Sequence, residues 1–183
     1  IEDLLPEIGQ STVFSKLDLE GAYLQLQLTE TSKKYTTINT PWGLFQYNRL
    51  PFGIKSAPSI FQSAMLQITN GLEGVIVYLD DILVFGANML EHNNRLEALK
   101  TRLLDYNVQL NEQKCEYEKK SITFLGHLLS AKGIHANKKL IQDLLTAPYP
   151  HDKRTLQSFI GSIQFYSKFI KNLADHLSPL TDL

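Results

Sequence analysis

Residues 75–85 read Val-Ile-Val-Tyr-Leu-Asp-Asp-Ile-Leu-Val-Phe, two short apolar runs parted by a pair of carboxylates. Runs this short and β-branched predict two buried strands joined by a tight turn, with Asp80 and Asp81 at the hairpin tip. Upstream, Val13-Phe14-Ser15-Lys16-Leu17-Asp18 predicts a strand that ends on an acid. From Tyr23 to Leu28 apolar residues alternate with Gln25 and Gln27, the period of a half-buried strand. Residues 36–40 and 44–49 predict two more strands, joined through Pro41-Trp42-Gly43. Residues 1–9 predict a short helix with Pro6 in its first turns and Gly9 as a stop. Ser56-Ala57-Pro58 opens a helix running to about Asn70, with Gly71 beyond it. Asn88 followed by Glu91 opens another, whose apolar stripe is Leu96, Leu99, Leu103 and Leu104. Residues 121–130 predict a hairpin around Gly126. Past Gly133, helices near 138–147 and 153–171 flank the loop Pro148-Tyr149-Pro150. Helices mixed with antiparallel strands make the fold class α+β.

Two adjacent like charges on a rigid apolar support raise each other's pKa unless a cation neutralises them. A hard divalent ion, Mg²⁺ or Mn²⁺, is the natural compensation, and a water-exposed Asp-Asp turn is the plain alternative. Asp18 tips the balance towards metal. It ends a strand and is followed by Gly21-Ala22, small enough to admit a ligand close to the backbone. Three acids from two strand ends can hold two metals of the kind that activate an attacking oxygen and stabilise a leaving phosphate. Phosphoryl transfer is therefore the leading chemistry.

Composition narrows the setting. The 183 residues, 43% hydrophobic and 20% charged, are ordinary for a globular chain with one substantial core. No apolar run approaches the ~18 residues of a membrane span, so no membrane partner is expected. The single cysteine, Cys115, excludes an internal disulfide, and the five histidines lack zinc-ligand spacing. Net charge is −1, but unevenly spread: residues 1–113 carry 8 Lys/Arg and 13 Asp/Glu, residues 114–171 carry 10 and 4. The basic stretch is a candidate footprint on a nucleic-acid duplex, or else a solvated surface with no such role.

Six blocks, in order, carry a family resemblance. Phe14-Ser15-Lys16-Leu17-Asp18-Leu19, with Tyr23 five residues after the acid, is the first. Leu50-Pro51-Phe52-Gly53-Ile54-Lys55-Ser56-Ala57-Pro58 is the second, and Tyr78-Leu79-Asp80-Asp81 the third. Leu110-Asn111 with Lys114-Cys115, then Phe124-Leu125-Gly126-His127, then Leu156 to Gly161 running on to Phe165-Tyr166, complete the set. Together they resemble the reverse transcriptase of gypsy-type LTR retrotransposons and, more distantly, of retroviruses, across nearly the whole chain.

The resemblance implies a reverse transcriptase palm, an antiparallel sheet backed by helices. Residues 1–23 would be its first part, 24–49 partial fingers, 50–136 palm with a catalytic and a primer-grip hairpin, and 137–183 the start of a helical thumb. It implies RNA-directed DNA polymerase activity, adding deoxynucleoside triphosphates (dNTPs) to a primer 3′-hydroxyl. Asp18, Asp80 and Asp81 would be catalytic and hold two Mg²⁺ or Mn²⁺ ions, with the Leu19 carbonyl as a further ligand. Gly21, Ala22 and Tyr23 would offer N–H groups to phosphates, and Tyr23 would stack beneath the sugar and exclude a 2′-hydroxyl. Phe52, Gly53 and Lys114 would meet the nucleotide, Lys114 as general acid near the leaving pyrophosphate. Phe52 stands where many retroviral relatives carry Gln, which removes a side-chain hydrogen bond. Tyr78, Leu79, Leu125, Gly126, Gln157, Gly161 and Phe165 would contact template–primer, RNA/DNA or DNA/DNA. Plainer readings stand beside these: Tyr23 as a core residue, Lys114 as a surface lysine, residues 124–127 as an ordinary turn, and Phe159, Ile163 and Phe165 as the core of two helices.

The chain starts just ahead of the first block and stops after one thumb hairpin. It is thus expected to be a fragment of a Pol polyprotein whose other partners are the remaining fingers, connection, ribonuclease H and integrase, located in the cytoplasm or in virus-like particles. Two readings from other classes remain: a catalytically incompetent remnant that only binds nucleic acid or protein, and a two-metal nuclease, for which no water-positioning base is evident. Metal-dependent primer extension separates the three.

Overall fold

The computed structural model describes residues 8–181. In chain order the strands are β1 (Val13–Asp18), β2 (Thr37–Thr40), β3 (Gly43–Gln46), β4 (Val75–Tyr78), β5 (Asp81–Gly86), β6 (Glu116–Lys119), β7 (Ser121–Phe124), β8 (His127–Ser130) and β9 (Gly133–Ala136). The helices are α1 (Glu30–Lys33), α2 (Ala57–Ile68), α3 (Met89–Asp105), α4 (Lys138–Leu145), α5 (Lys153–Gln164) and α6 (Leu173–Thr181). The helix expected over residues 1–9 lies almost wholly outside the described residues. None of the described helices is long and apolar enough to cross a membrane.

The chain divides into two compact units, Ile1–Ile122 and Thr123–Leu183. The first is built on a four-stranded antiparallel sheet in the order β4-β5-β1-β6. Pairing of Val13 with Gly86 through Asp18 with Asp81 sets its central register. Because side chains alternate across a strand, Leu17, Ile82, Val84 and Val77 fall on one face, where they join Phe61 and Met65 of α2 and Leu96, Leu99 and Leu103 of α3 in a single buried cluster. Leu104, expected in that stripe, is exposed, since it lies one residue round the helix from Leu103. Asn88 caps α3 through the Glu91 N–H, as its spacing predicts.

One buried polar clamp ties three elements of this unit together. His92 Nδ1 faces the Asn93 side-chain oxygen at 2.8 Å, so its proton sits there and the Ser15 hydroxyl donates to Nε2 at 2.9 Å. Ser15 Oγ in turn accepts the Glu118 N–H at 3.0 Å, fastening β6 to β1. Gly86 lets α3 approach this closely, since a Cβ there would meet the His92 backbone nitrogen at 2.6 Å.

The strand predicted over residues 23–28 does not form. Ala22–Gln25 is a 3-10 turn entered through Gly21 at φ 62°, and the stretch after it makes only an isolated bridge between Gln27 and Arg49. Gln25 takes the place of the missing ladder: its amide donates to the Gln109 carbonyl at 2.9 Å and accepts the Gln109 N–H at 2.8 Å. β2 and β3 pair as a separate two-stranded sheet close to where they were expected.

In the second unit, β8 and β9 pair antiparallel, in a three-stranded sheet of order β7-β8-β9. α4 and α5 follow, α5 stopping at Gln164 rather than continuing to 171, with a 3-10 turn at Ser167–Phe169 and the unforeseen α6 beyond.

Candidate active site

The predicted acids converge at one end of the main sheet. Asp18 closes β1 and pairs directly with Asp81, the first residue of β5, so their side chains leave the same face of neighbouring strands. The hairpin tip is tighter than the sequence suggested. Asp81 already belongs to the ladder, opposite Tyr78, and only Leu79 and Asp80 form the turn. A two-residue turn suits the twist of the strands but demands a left-handed first residue, and Leu79 adopts φ 51°.

Gln62 of α2 holds that turn in place. Its side-chain NH₂ donates to the Val77 carbonyl at 3.0 Å, and its oxygen accepts the Leu79 N–H at 2.7 Å. Asp18 is anchored as firmly: its carbonyl accepts the Asn111 N–H at 2.9 Å, and its own N–H donates to Cys115 Sγ at 3.4 Å. The Leu19 N–H reaches the Asp80 carbonyl at 3.3 Å, linking the two acid-bearing segments through their backbones.

Electrostatics shows the acids acting on one another. Burial raises the Asp80 carboxyl above its ordinary range, the charges of Asp18 and Asp81 push it further, and Lys114 opposes them. Asp81 is also raised, chiefly by burial, with Lys16 lowering it and Asp18 raising it. Lys114 Nζ lies 3.7 Å from Asp18 Oδ1, and Lys16 Nζ 4.0 Å from Asp81 Oδ1. Asp80 Oδ1 is buried with no hydrogen-bond partner. Among the described residues, no three His, Cys, Asp or Glu side chains close to metal-ligand geometry, two of the acids being turned to lysines instead. Asp80 and Asp81, both raised, with one Asp80 oxygen orphaned and Asp18 paired beside them, supply the hard oxygen donors that a divalent cation of the Mg²⁺ or Mn²⁺ type takes.

Of the residues expected to meet the nucleotide, Tyr23 lies within reach of the Asp80 charge. The Tyr23 ring lies 5.3 Å from both Phe52 and Phe61, edge-on to the latter, and its hydroxyl is raised by burial and by the charge of Asp80. Phe52 is exposed, and Gly53 at φ 88° makes the turn that a side chain would strain. The Ala22 side chain is buried in the core cluster. Tyr78 is half exposed. Arg49 donates its guanidinium to the carbonyls of Leu24 and Gln25.

The remaining predicted residues belong to the second unit. Leu125 and Gly126 form the β7–β8 turn, at φ 47° and 80°. Gln157, Gly161 and Phe165 are exposed along α5 and its cap. Phe165 also stacks on buried His127, with ring centroids 4.8 Å apart and planes within 1°. A Cβ on Gly126 would meet Phe165 at 2.9 Å.

The contacts that Gln62, Cys115 and Lys16 make at the site were not expected from the sequence. Gln62 and Cys115 act on backbone groups far away along the chain, and no local pattern marks them. Lys16 was legible, since a residue two before Asp18 shares its face.

The reverse transcriptase (RNA-dependent DNA polymerase) family model matches residues 2–129. The chain is 34% identical, over 99% of its length, to the retrovirus-related Pol polyprotein from transposon 297 of Drosophila melanogaster, and 30% identical over 98% to that from transposon gypsy of the same organism. It spans 17% and 18% of those polyproteins. Its fold is similar to a foamy viral protease-reverse transcriptase solved with double-stranded DNA (TM-score 0.93, 23% identity, 100% of this chain, 32% of that one) and to one solved with an RNA/DNA hybrid (TM-score 0.88, 23% identity, 98% and 25%). With the acid doublet, its upstream partner and the antiparallel palm in place, the chain belongs to the reverse transcriptase (RNA-dependent DNA polymerase) family.

Proposed function

We propose that this chain is the catalytic core of an RNA-directed DNA polymerase that extends a primer 3′-hydroxyl with deoxynucleotides on a template. The observation that carries the reading is the direct pairing of Asp18 with Asp81 beside the orphaned Asp80 oxygen. Asp18, Asp80 and Asp81 would hold the cations, with the Leu19 carbonyl beside them. When bound, two Mg²⁺ or Mn²⁺ ions supply charge neutralisation for the attacking 3′-oxygen and the leaving pyrophosphate.

The chain's own groups have separable tasks. Gln62 fixes the turn that aims Asp80. Tyr23, braced by Phe52 and Phe61, closes off the sugar side and excludes a 2′-hydroxyl. Lys114 Nζ, exposed and 3.7 Å from Asp18 Oδ1, donates a proton to the departing oxygen. Gly21 and Gly53 leave backbone open to phosphates. The similar foamy viral enzymes, solved with duplex DNA and with an RNA/DNA hybrid, support template–primer as the partner. By the same reading, residues 24–49 serve as part of the fingers and 137–183 as the start of the thumb, within a Pol polyprotein acting in the cytoplasm or in virus-like particles.

Asp80→Asn in an intact polyprotein-derived enzyme tests this. Primer extension should fall by about a hundredfold to a thousandfold with an unchanged circular dichroism spectrum, the scale set by losing charge stabilisation at the reacting oxygens. Retained extension refutes the assignment. A shortened primer with wild-type protein indicates a nuclease, and an unchanged one a binding remnant.

A further inference from the structure

Lys16 is an unusual occupant of β1. Its neighbours Ser15 and Leu17 are fully buried, and its own side chain is only 24% exposed. Lysine rarely sits this deep without a partner, and a β-branched residue would pack such a strand better. The partner is Asp81, at 4.0 Å. Register explains the meeting: Lys16 and Asp18 share one face of β1, and Asp81 lies across from Asp18 on β5. The polymerase chemistry above leaves this ammonium without a task.

Lys16 differs from the other lysine at the site. Lys114 is 66% exposed and lies in the segment between Asn111 and β6, so its head can leave Asp18 freely. Lys16 is rooted in the centre of a sheet, between β5 and β6, and its side chain is 24% exposed. Its charge therefore has less freedom to leave the acids than that of Lys114. A fixed positive charge beside a carboxylate competes with any divalent ion for the same oxygen, and partial burial weakens the screening that would blunt this.

We propose that Lys16 is a tethered counter-cation of the acidic site. It neutralises Asp81 while the site is metal-free, yields that oxygen when a divalent ion arrives, and so sets the metal concentration the site requires. The inference rests on the two-metal reading. It involves no bond-making by Lys16, which is a positioning residue.

The test measures Mn²⁺ binding to the 183-residue chain by electron paramagnetic resonance, without nucleotide, alongside melting in a chelator. Lys16→Met should bind Mn²⁺ about tenfold more tightly, from relief of one like charge at close range. It should also melt below wild type in chelator and regain the difference when Mn²⁺ is added. Lys16→Arg, which keeps the charge, should follow wild type. Lys16→Gln replaces the Met variant should that one fail to fold. Asp80-dependent binding of equal strength in wild type and the neutral variant overturns the inference alone. Absence of Asp80-dependent binding in both, shown with Asp80→Asn, overturns the two-metal reading with it.

Discussion

A leucine at φ 51° tips the acidic hairpin, where a left-handed backbone costs an L-residue about 1–2 kcal/mol. The Gln62 amide offsets that cost by answering one donor and one acceptor of the turn. Gln62→Leu keeps the bulk and removes both bonds, leaving two part-buried backbone groups unpaired. We expect a stability loss of about 1–3 kcal/mol in urea denaturation. Primer extension in the intact enzyme should fall at least about tenfold, because Asp80 follows Leu79 and moves with it. A loss of stability with full activity would show that the turn keeps its shape unaided. At this scale the three acids were readable, since carboxylates among β-branched residues demand an explanation wherever they fall. The amide that aims one of them was not: Gln62 follows Phe61 on α2, one step outside the apolar row, and looks like any solvent-facing glutamine.

Elements were legible where their pattern was self-sufficient. The β4–β5 hairpin, α2 with Gly71 beyond it and α3 with its Asn88 cap each carry their own start, stop and period. Residues 23–28 carried a strand's alternation and formed a 3-10 turn, because Gly21 turns the chain and Gln25 borrows the Gln109 backbone as its partner. Alternation reports burial on one side, and only a neighbouring edge turns it into a strand. The β7–β8 turn shows the opposite case, where one residue's chemistry decides the element. Gly126 needs a positive φ, and it also needs room, with Phe165 2.9 Å from where a Cβ would stand. Gly126→Ala should therefore cost about 2 kcal/mol, through left-handed strain and displacement of the Phe165 ring from its stack on His127. Faster amide exchange confined to residues 127–136 is the expected signature, and unchanged exchange would show that Phe165 gives way freely.

Across the whole molecule, the two units should answer pH in opposite directions. In the first, Asp80 and Asp81 titrate above the ordinary 3.8, mainly because burial penalises their charged forms. A carboxyl raised on folding contributes stability that is fully present below its unfolded value and is lost as pH rises through its folded one. In the second, burial holds His127 below the ordinary 6.5, Lys168 adds to the effect, and Nδ1 has no acceptor to receive a new proton's bond. An imidazole lowered on folding stabilises above its unfolded value, and that contribution drains away as pH falls towards its folded one. Acidification from pH 7 to about 4.5 should therefore slow opening of β1, β4 and β5 while speeding that of β8 and β9, once exchange rates are corrected for their intrinsic pH dependence. Adding Mn²⁺ at pH 7 should protect the first set alone, since a cation removes the reason its acids resist ionisation. Asp80→Asn should shrink the first response, leaving the Asp81 share, and His127→Phe should flatten the second, each leaving the other unit as it was. A shift of the same sign in both units would mean that charge on the rest of the chain outweighs these buried groups, and that the metal-free site is not the liability its geometry makes it.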